Sequence, residues 1–246
     1  MQLKKPKMIT FDYGHTLIYE KGFSTLRGNE ELMKYASKNP KGVSAKEASE
    51  FNNKLFSEIA VDFHKNDREI HHFHFQRLVN ELLQMEFSLP MEEQELLFWN
   101  AASPAEKMEQ VDEVLERLHE LGIRTGVISN LSFSERSLAM RIGQYLPNNR
   151  FEFFTASSEY SVRKPHPLIF AVSLAKAGLQ AHEVWHCGDN SRCDVEGASA
   201  AGIFPVWYMS DLPNLYVDKI YSGTPRCTHL KVSSWGEFME KLDEME

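Results

Sequence analysis

Four short stretches of this 246-residue sequence place reactive side chains directly after apolar runs. Asp12 follows the apolar stretch 8–11, Ser129 closes the stretch 123–129, and Asp189 follows the stretch 183–188. Lys164 comes shortly after a further β-prone stretch, 151–157. A carboxylate can attack phosphorus to form an acyl phosphate, while lysine and hydroxyl groups can stabilise charge on the phosphoryl oxygens. These residue types therefore suit phosphoryl transfer if the chain brings them together.

Two of the candidate groups near such a site are additional carboxylates, Asp189 and Asp194. An anionic substrate would be repelled by this much negative charge. A Mg²⁺ ion shared by Asp12, Asp189 and the phosphate would offset that repulsion, and carboxylate oxygens are ligands that Mg²⁺ accepts. The sequence therefore predicts a Mg²⁺ site among these aspartates.

The elements that must position these residues follow from hydrophobic periodicity. Strands and helices alternate from about residue 106 onward, which predicts an α/β fold with a mostly parallel, Rossmann-like sheet and helices on both faces. In such sheets ligands bind at the carboxyl ends of the strands, where the candidate residues stand. The predicted strands are 7–13, 123–130, 151–157, 183–189, 203–209 and an edge strand at 228–234. The predicted helices of this part are 108–122, 133–143, 166–179, 194–202 and 235–245.

Between the first strand and this alternating region the chain is polar and helical in period. Ser44 and Glu47 have the spacing of a capping box at the start of a long helix. Further helical patterns cover 71–85 and 91–102. The change in pattern predicts an inserted α-helical cap domain over 18–105 and a core domain made of 1–17 and 106–246.

Four motifs resemble those of the haloacid dehalogenase superfamily, in the branch with a helical cap after the first strand. They are FDYGHTL from residue 11, GVISN from 126, VRKPHP from 162 and HCGDNSRCDVEGA from 186, in the family's order. The resemblance implies that Asp12 is the nucleophile and that Thr16 assists it. It implies that Ser129 and Asn130 bind phosphate and that Lys164 binds both phosphate and the aspartate. It also implies that Mg²⁺ is bound by Asp12, the Gly14 carbonyl, Asp189 and Asp194.

Gly14 departs from the family pattern, because phosphatase members usually carry an aspartate two residues after the nucleophile. That aspartate protonates the leaving oxygen and later activates water. A glycine keeps only its carbonyl, so the resemblance implies that metal binding survives while acid–base help is lost, at about 10²–10⁴-fold in rate. His15 follows, and two interpretations stay open: it supplies the missing proton transfer, or it packs at the mouth of the turn.

The helical segment contains histidines and aromatic residues with no recognisable motif. His64, His71, His72 and His74 do not have the spacing that puts three metal ligands on one helix face, so a solvated face or a pocket lining is favoured over a metal site. Phe73, Phe75, Phe98 and Trp99 are predicted to form the interior of the cap rather than a ligand-stacking box.

Composition limits the function classes. A net charge of −8 and a pI near 5.7 argue against a general nucleic-acid binder. No apolar run could span a bilayer, and three cysteines without a secretory leader favour the cytoplasm.

The leading hypothesis is a Mg²⁺-dependent phosphatase of a small phosphorylated metabolite. The alternatives are a binding or regulatory protein with little turnover, or a hydrolase of C–P or C–halogen bonds.

Overall fold

A computed structural model describes residues 3–213 and 223–245 of the protein. Its strands are β1 (Met8–Phe11), β2 (Ile18–Glu20), β3 (Ala36–Lys38), β4 (Glu86–Phe87), β5 (Ala105–Lys107), β6 (Arg124–Ser129), β7 (Phe154–Ala156), β8 (Val184–Gly188), β9 (Phe204–Tyr208) and β10 (Leu230–Val232). Its helices are α1 (Thr25–Met33), α2 (Ala45–Lys65), α3 (His72–Leu83), α4 (Met91–Ala102), α5 (Val111–Glu120), α6 (Glu135–Tyr145), α7 (Ser157–Tyr160), α8 (Pro167–Ala177), α9 (Gly197–Ala200) and α10 (Trp235–Asp243).

The central sheet is parallel and six-stranded, in the order β10-β9-β8-β1-β6-β7. β1 pairs with β6 on one side and β8 on the other, and all four of its residues are buried. Successive residues of β1 face opposite sides of the sheet: Met8 belongs to one apolar cluster and Ile9 to another. The predicted α/β fold with a parallel sheet is confirmed, and β10 forms the predicted edge strand.

The segment between β2 and β5 consists mainly of helices. Its entry and exit pair as two antiparallel strands, with Ile18 opposite Lys107. The capping box at the start of α2 is present, since the Ser44 hydroxyl accepts from the Glu47 backbone N–H and the Glu47 carboxylate accepts from the Ser44 backbone N–H. The helices predicted for 44–64, 71–85 and 91–102 correspond to α2, α3 and α4. The division into a core domain and a cap domain stays a prediction.

The short strands β2 to β5 were not predicted from the sequence. Each has only two or three residues and pairs with a single partner, so no alternating pattern is long enough to recognise. The helix predicted for 194–202 also differs, because residues Ser191–Glu196 form a wide π-helical turn before α9 begins. No helix in the described ranges is both long enough and apolar enough to cross a membrane.

Candidate active site

The carboxyl ends of β1, β6 and β8 open into a cavity of about 550 Å³ that also reaches the helical segment. Asp12 follows β1, Ser129 ends β6 and Asp189 follows β8, and all three line this cavity. Because β1 lies between β6 and β8 in the sheet, these three chain positions become neighbours. The convergence that parallel topology predicts is therefore present in the structure.

Lys164 lies at the centre of this group and is 1% exposed. Its ammonium donates hydrogen bonds to Asp12 Oδ1 at 2.7 Å, to Asp194 Oδ1 at 2.6 Å and to the Ile128 carbonyl at 2.8 Å. Asn130 holds the lysine backbone, since its Nδ2 donates to the Lys164 carbonyl at 2.8 Å and its Oδ1 accepts from the Lys164 N–H at 2.7 Å. Asn130 therefore fixes the backbone of Lys164, and its predicted role in phosphate binding stays a prediction.

Charge and burial set the protonation states of this cluster. Burial by itself lowers the pKa of Lys164, but Asp12 and Asp194 outweigh it and raise that pKa above its usual value. Burial also disfavours the charged form of Asp194, yet Lys164 and His186 hold the pKa of its carboxyl well below the ordinary range. At neutral pH the Lys164 ammonium and the Asp194 carboxylate are both ionised.

Burial and neighbouring carboxylates act differently on the other two carboxyl groups, whose pKa values are raised. The pKa of Asp12 is raised, first by burial and then by Asp194, against the opposing influence of Lys164. The pKa of Asp189 is raised well above its usual value by burial and by the two neighbouring aspartates. Three carboxyl groups and one lysine thus lie close together, so carboxyl groups outnumber cations in this cluster.

The donor set of this cluster fits Mg²⁺. Carboxylate oxygens of Asp12, Asp189 and Asp194 lie within 4.8 Å of one another, the one such potential metal-ligand group in the described residues. Hard oxygen donors suit Mg²⁺, and a divalent cation would offset the excess negative charge. Asp194 is also held by protein donors: His186 Nε2 lies 3.1 Å from Oδ1, and the Asn190 N–H donates to Oδ2 at 2.9 Å. The roles of Asp12, Asp189 and Asp194 in metal binding stay predictions.

The turn after Asp12 contains the residues on which catalysis was predicted to depend. Gly14 lines the cavity, and a Cβ built on it meets no heavy atom within 4 Å. His15 also lines the cavity, is 5% exposed and packs edge-on against Tyr19; burial lowers the pKa of its imidazole. Thr16 is fully buried outside the cavity lining, where its carbonyl accepts from Trp235 Nε1. The helper role of Thr16 and the acid–base role of His15 stay predictions.

A short segment between α2 and α3 contacts the loops that follow the core strands and was not singled out from the sequence. Glu69 is buried there, and its carboxylate accepts from Ser132 Oγ at 3.2 Å and from Ser157 Oγ at 3.1 Å. Its Oε2 lies 3.5 Å from Arg163 Nη1. Asp67 accepts from Arg192 at 2.9 Å. A single glutamate in a polar stretch carries no local signal, since these contacts depend on long-range packing.

The histidines of the helical segment have separate partners in the structure. His64 Nε2 lies 3.3 Å from the Glu69 carboxylate, and His72 Nδ1 lies 3.5 Å from the Glu95 carboxylate. These two histidines line the cavity. His71 caps α3 by accepting from the Phe73 N–H. Pocket lining, one of the two favoured interpretations, therefore applies to two of the four histidines.

The aromatic residues have two environments at once. Phe75, Phe98 and Trp99 are buried, as expected for interior residues, but each also lines the cavity. Phe98 and Trp99 belong to the apolar cluster that continues into the core. Phe73 is not among the lining residues. Interior packing, the favoured interpretation, therefore applies to these three residues, and they also form part of the cavity wall.

Comparison with known proteins gives a match to the family model of the haloacid dehalogenase-like hydrolases over residues 6–202. Among curated proteins, a glyceraldehyde 3-phosphate phosphatase of Pyrococcus abyssi is 35% identical over 98 residues. A phosphoglycolate phosphatase of Pectobacterium atrosepticum is 36% identical over 96 residues. The aligned part amounts to 39% of this chain and 39% of the first relative, and to 38% of each for the second, so the chain spans well under half the length of these relatives.

Solved structures share the fold at low sequence identity. A phosphatase from Thermococcus onnurineus superposes with a TM-score of 0.62 at 18% identity, covering 99% of both chains. A 2-haloacid dehalogenase from Pseudomonas syringae superposes with a TM-score of 0.60 at 20% identity, covering 98% of this chain and 99% of the other. Both phosphatases and dehalogenases thus have this architecture.

Proposed function

This chain belongs to the haloacid dehalogenase-like hydrolases, and we propose that it is a Mg²⁺-dependent phosphatase that acts on a small phosphorylated metabolite through an aspartyl-phosphate at Asp12. One observation carries the proposal: Asp12 projects from the end of β1 into the cavity, 2.7 Å from the Lys164 ammonium and beside Asp189 and Asp194. Names of two curated relatives, both phosphatases, agree with it.

The reaction divides into two displacements at phosphorus. In the first, an Asp12 oxygen attacks phosphorus, the ester P–O bond breaks, and the leaving oxygen takes a proton from a water molecule, so that the alcohol departs. In the second, water attacks the same phosphorus, the bond to Asp12 breaks, and inorganic phosphate is released. Mg²⁺, held by Asp12 and Asp189 with the Gly14 carbonyl, would neutralise charge on the phosphoryl oxygens.

The chain's own residues have defined tasks in these steps. Lys164 faces Asp12 and stabilises negative charge that develops on the transferring group. Ser129 is buried at the end of β6 and lines the cavity, where its hydroxyl and the following backbone N–H groups would bind phosphate oxygens. The helical segment covers the cavity and limits access of bulk water. Gly14 offers no side chain for proton transfer, so turnover should be slow with poor leaving groups.

The test is hydrolysis by purified protein of a panel of phosphate monoesters, including an aryl phosphate, with Mg²⁺ and with EDTA. Asp12→Asn should abolish hydrolysis and EDTA should suppress it. Asp62→Asn, an exposed position on α2, is the matched control and should retain activity. Mg²⁺-dependent hydrolysis that persists in Asp12→Asn would refute the role of Asp12.

Gly14 favours a second candidate, a binding or regulatory protein with little turnover. A binding protein of this kind would hydrolyse no ester on the panel. It would still bind phosphate, and calorimetry would detect that binding. Cleavage of C–P or C–halogen bonds, the third hypothesis, predicts release of an aldehyde or a halide. The halide reaction needs no metal, whereas this chain retains both Asp189 and Asp194, so halide release should be absent.

A further inference from the structure

One wall of the cavity consists of aromatic rings. The rings of Trp99 and Phe133 stack in parallel, with their centroids 4.2 Å apart. The centroid of the Phe23 ring lies 6.2 Å from that of Phe98 and 6.4 Å from that of Phe133. Phe56 meets Phe75 edge-on at 5.5 Å. All six rings line the cavity, contributed by both the helical segment and the core. Such a surface suits a flat apolar group.

The charges around this wall disfavour a second anionic group on the substrate. Among the described residues, Lys164 and Arg163 are the lysine and arginine side chains that line the cavity. Lys164 is bonded to Asp12 and Asp194. Arg163 faces the buried carboxylate of Glu69, and Glu20 adds a further carboxylate to the lining. Arg163 Nη1 makes no hydrogen bond to a described residue, but carboxyl groups outnumber the lysine and the arginine in the lining. This excess of negative charge disfavours a carboxylate on the leaving group.

Asn52 offers a buried acceptor to the cavity. It is 2% exposed and lines the cavity from α2. No described residue donates a hydrogen bond to its Oδ1 atom. A buried acceptor without a donor is unfavourable, so a bound ligand with an N–H or O–H group would find a favourable partner there.

We propose that the leaving alcohol of the substrate is a flat, largely apolar ring that carries no second negative charge and donates a hydrogen bond to Asn52 Oδ1. This inference rests on the proposed phosphatase activity and specifies its substrate class. The cavity volume of about 550 Å³ also exceeds what a two- or three-carbon phosphate fills. The substrate thus differs from glyceraldehyde 3-phosphate and phosphoglycolate, the compounds in the names of the curated relatives.

The test compares esters of primary alcohols, so that leaving-group reactivity is similar. Benzyl phosphate should have a kcat/KM at least tenfold above that of 2-phosphoglycolate, and 4-(hydroxymethyl)benzyl phosphate, which adds an O–H donor, should exceed benzyl phosphate. Phe56→Ala should reduce the preference for benzyl phosphate several-fold. Asn52→Leu should remove the advantage of the hydroxymethyl group. Val61→Ala, an exposed position on the same helix, is the control and should change neither ratio.

Binding to the Asp12→Asn protein separates this inference from the phosphatase proposal. Calorimetry should show tighter binding of benzyl phosphate than of 2-phosphoglycolate even if no ester is hydrolysed. Absence of hydrolysis with this preference intact would refute the activity but not the ligand class. Equal or tighter binding of 2-phosphoglycolate would overturn the ligand class, whatever the activity, and equal loss of both substrates in Phe56→Ala would also contradict it.

Discussion

Replacing Gly14 by aspartate should convert a slow phosphatase into a faster one. The backbone φ of Gly14 lies outside the left-handed region, and an added Cβ meets no heavy atom within 4 Å, so the side chain can enter the cavity without strain. A positioned general acid–base group contributes about 10²–10⁴-fold in rate. That range corresponds to about 3–5 kcal/mol of activation free energy. Nearby carboxyl groups should raise the pKa of the new one, which helps it donate a proton near neutral pH.

The assay is kcat for an alkyl phosphate and an aryl phosphate in the wild type, Gly14→Asp and Gly14→Asn. The alkyl ester should gain about 10²-fold or more in Gly14→Asp, because its leaving oxygen needs a proton. The aryl ester should gain much less, since its leaving group is already stable as an anion. Gly14→Asn has a similar shape without a transferable proton, and it should stay near the wild-type rate.

Two results would refute this reasoning. Equal rates for Gly14→Asp and Gly14→Asn, in folded proteins that bind phosphate, would show that proton transfer does not limit turnover. A fall of about 10²-fold in His15→Asn, with no gain in Gly14→Asp, would show that the His15 imidazole already transfers the proton.

Three further predictions concern the packing and charges around the site. Gly28→Ala should lower the free energy of unfolding by about 1–3 kcal/mol, because its Cβ would lie 2.5 Å from the Phe98 ring. Gly143→Ala is the control within another helix, where an added Cβ meets no heavy atom within 4 Å, and it should raise the free energy of unfolding by about 0.5–1 kcal/mol. Urea titrations measure both changes. Lys164→Met should lower the free energy of unfolding by about 3–5 kcal/mol, because it leaves buried carboxylates without their cation. The same substitution should reduce kcat at least 10²-fold. Near-normal stability would contradict the buried network. Burial opposes ionisation of Glu95, but His72 and neighbouring serines lower the pKa of its carboxyl below the usual 4.5. The ionised Glu95 therefore stabilises the fold above pH 4.5, and this stabilisation is lost as the pH falls through the lowered pKa. Glu95→Gln should therefore be destabilised by about 1–3 kcal/mol at pH 7 with a gap that narrows towards pH 3, and a gap independent of pH would contradict this assignment.

The sheet and the charged cluster could be predicted from the sequence because both depend on local patterns. Apolar runs locate the strands, and parallel topology brings the residues that follow them to one edge of the sheet. Asp12, Ser129, Lys164, Asp189 and Asp194 were all predicted to converge by this logic, and the structure brings them together. The roles of these residues in catalysis and metal binding stay predictions. Their proximity is a property of the fold.

The lining of the cavity could not be predicted in the same way. Phe23, Phe56 and Phe133 reach it from three separate elements or loops, and no spacing in the sequence relates them. Asn52 lies on α2 among other polar residues, so its burial has no local signal. Helical period identifies the face of a helix that packs, but it does not identify which neighbour covers that face. The residues that select a substrate are therefore the ones least accessible to sequence reasoning.

Two glutamates of the helical segment show why its polar composition was misleading. Glu69 and Glu95 would be read as solvated residues, yet both are buried where the segment meets the core. Glu95 accepts from the Ser134 backbone N–H at 3.1 Å and from Ser137 Oγ at 2.5 Å, which adds a negative charge at the start of α6. A buried carboxylate is stable only with such donors, so each glutamate fixes the segment in one position on the core. The same contacts that hide these charges therefore also set the shape of the cavity, which local sequence patterns do not encode.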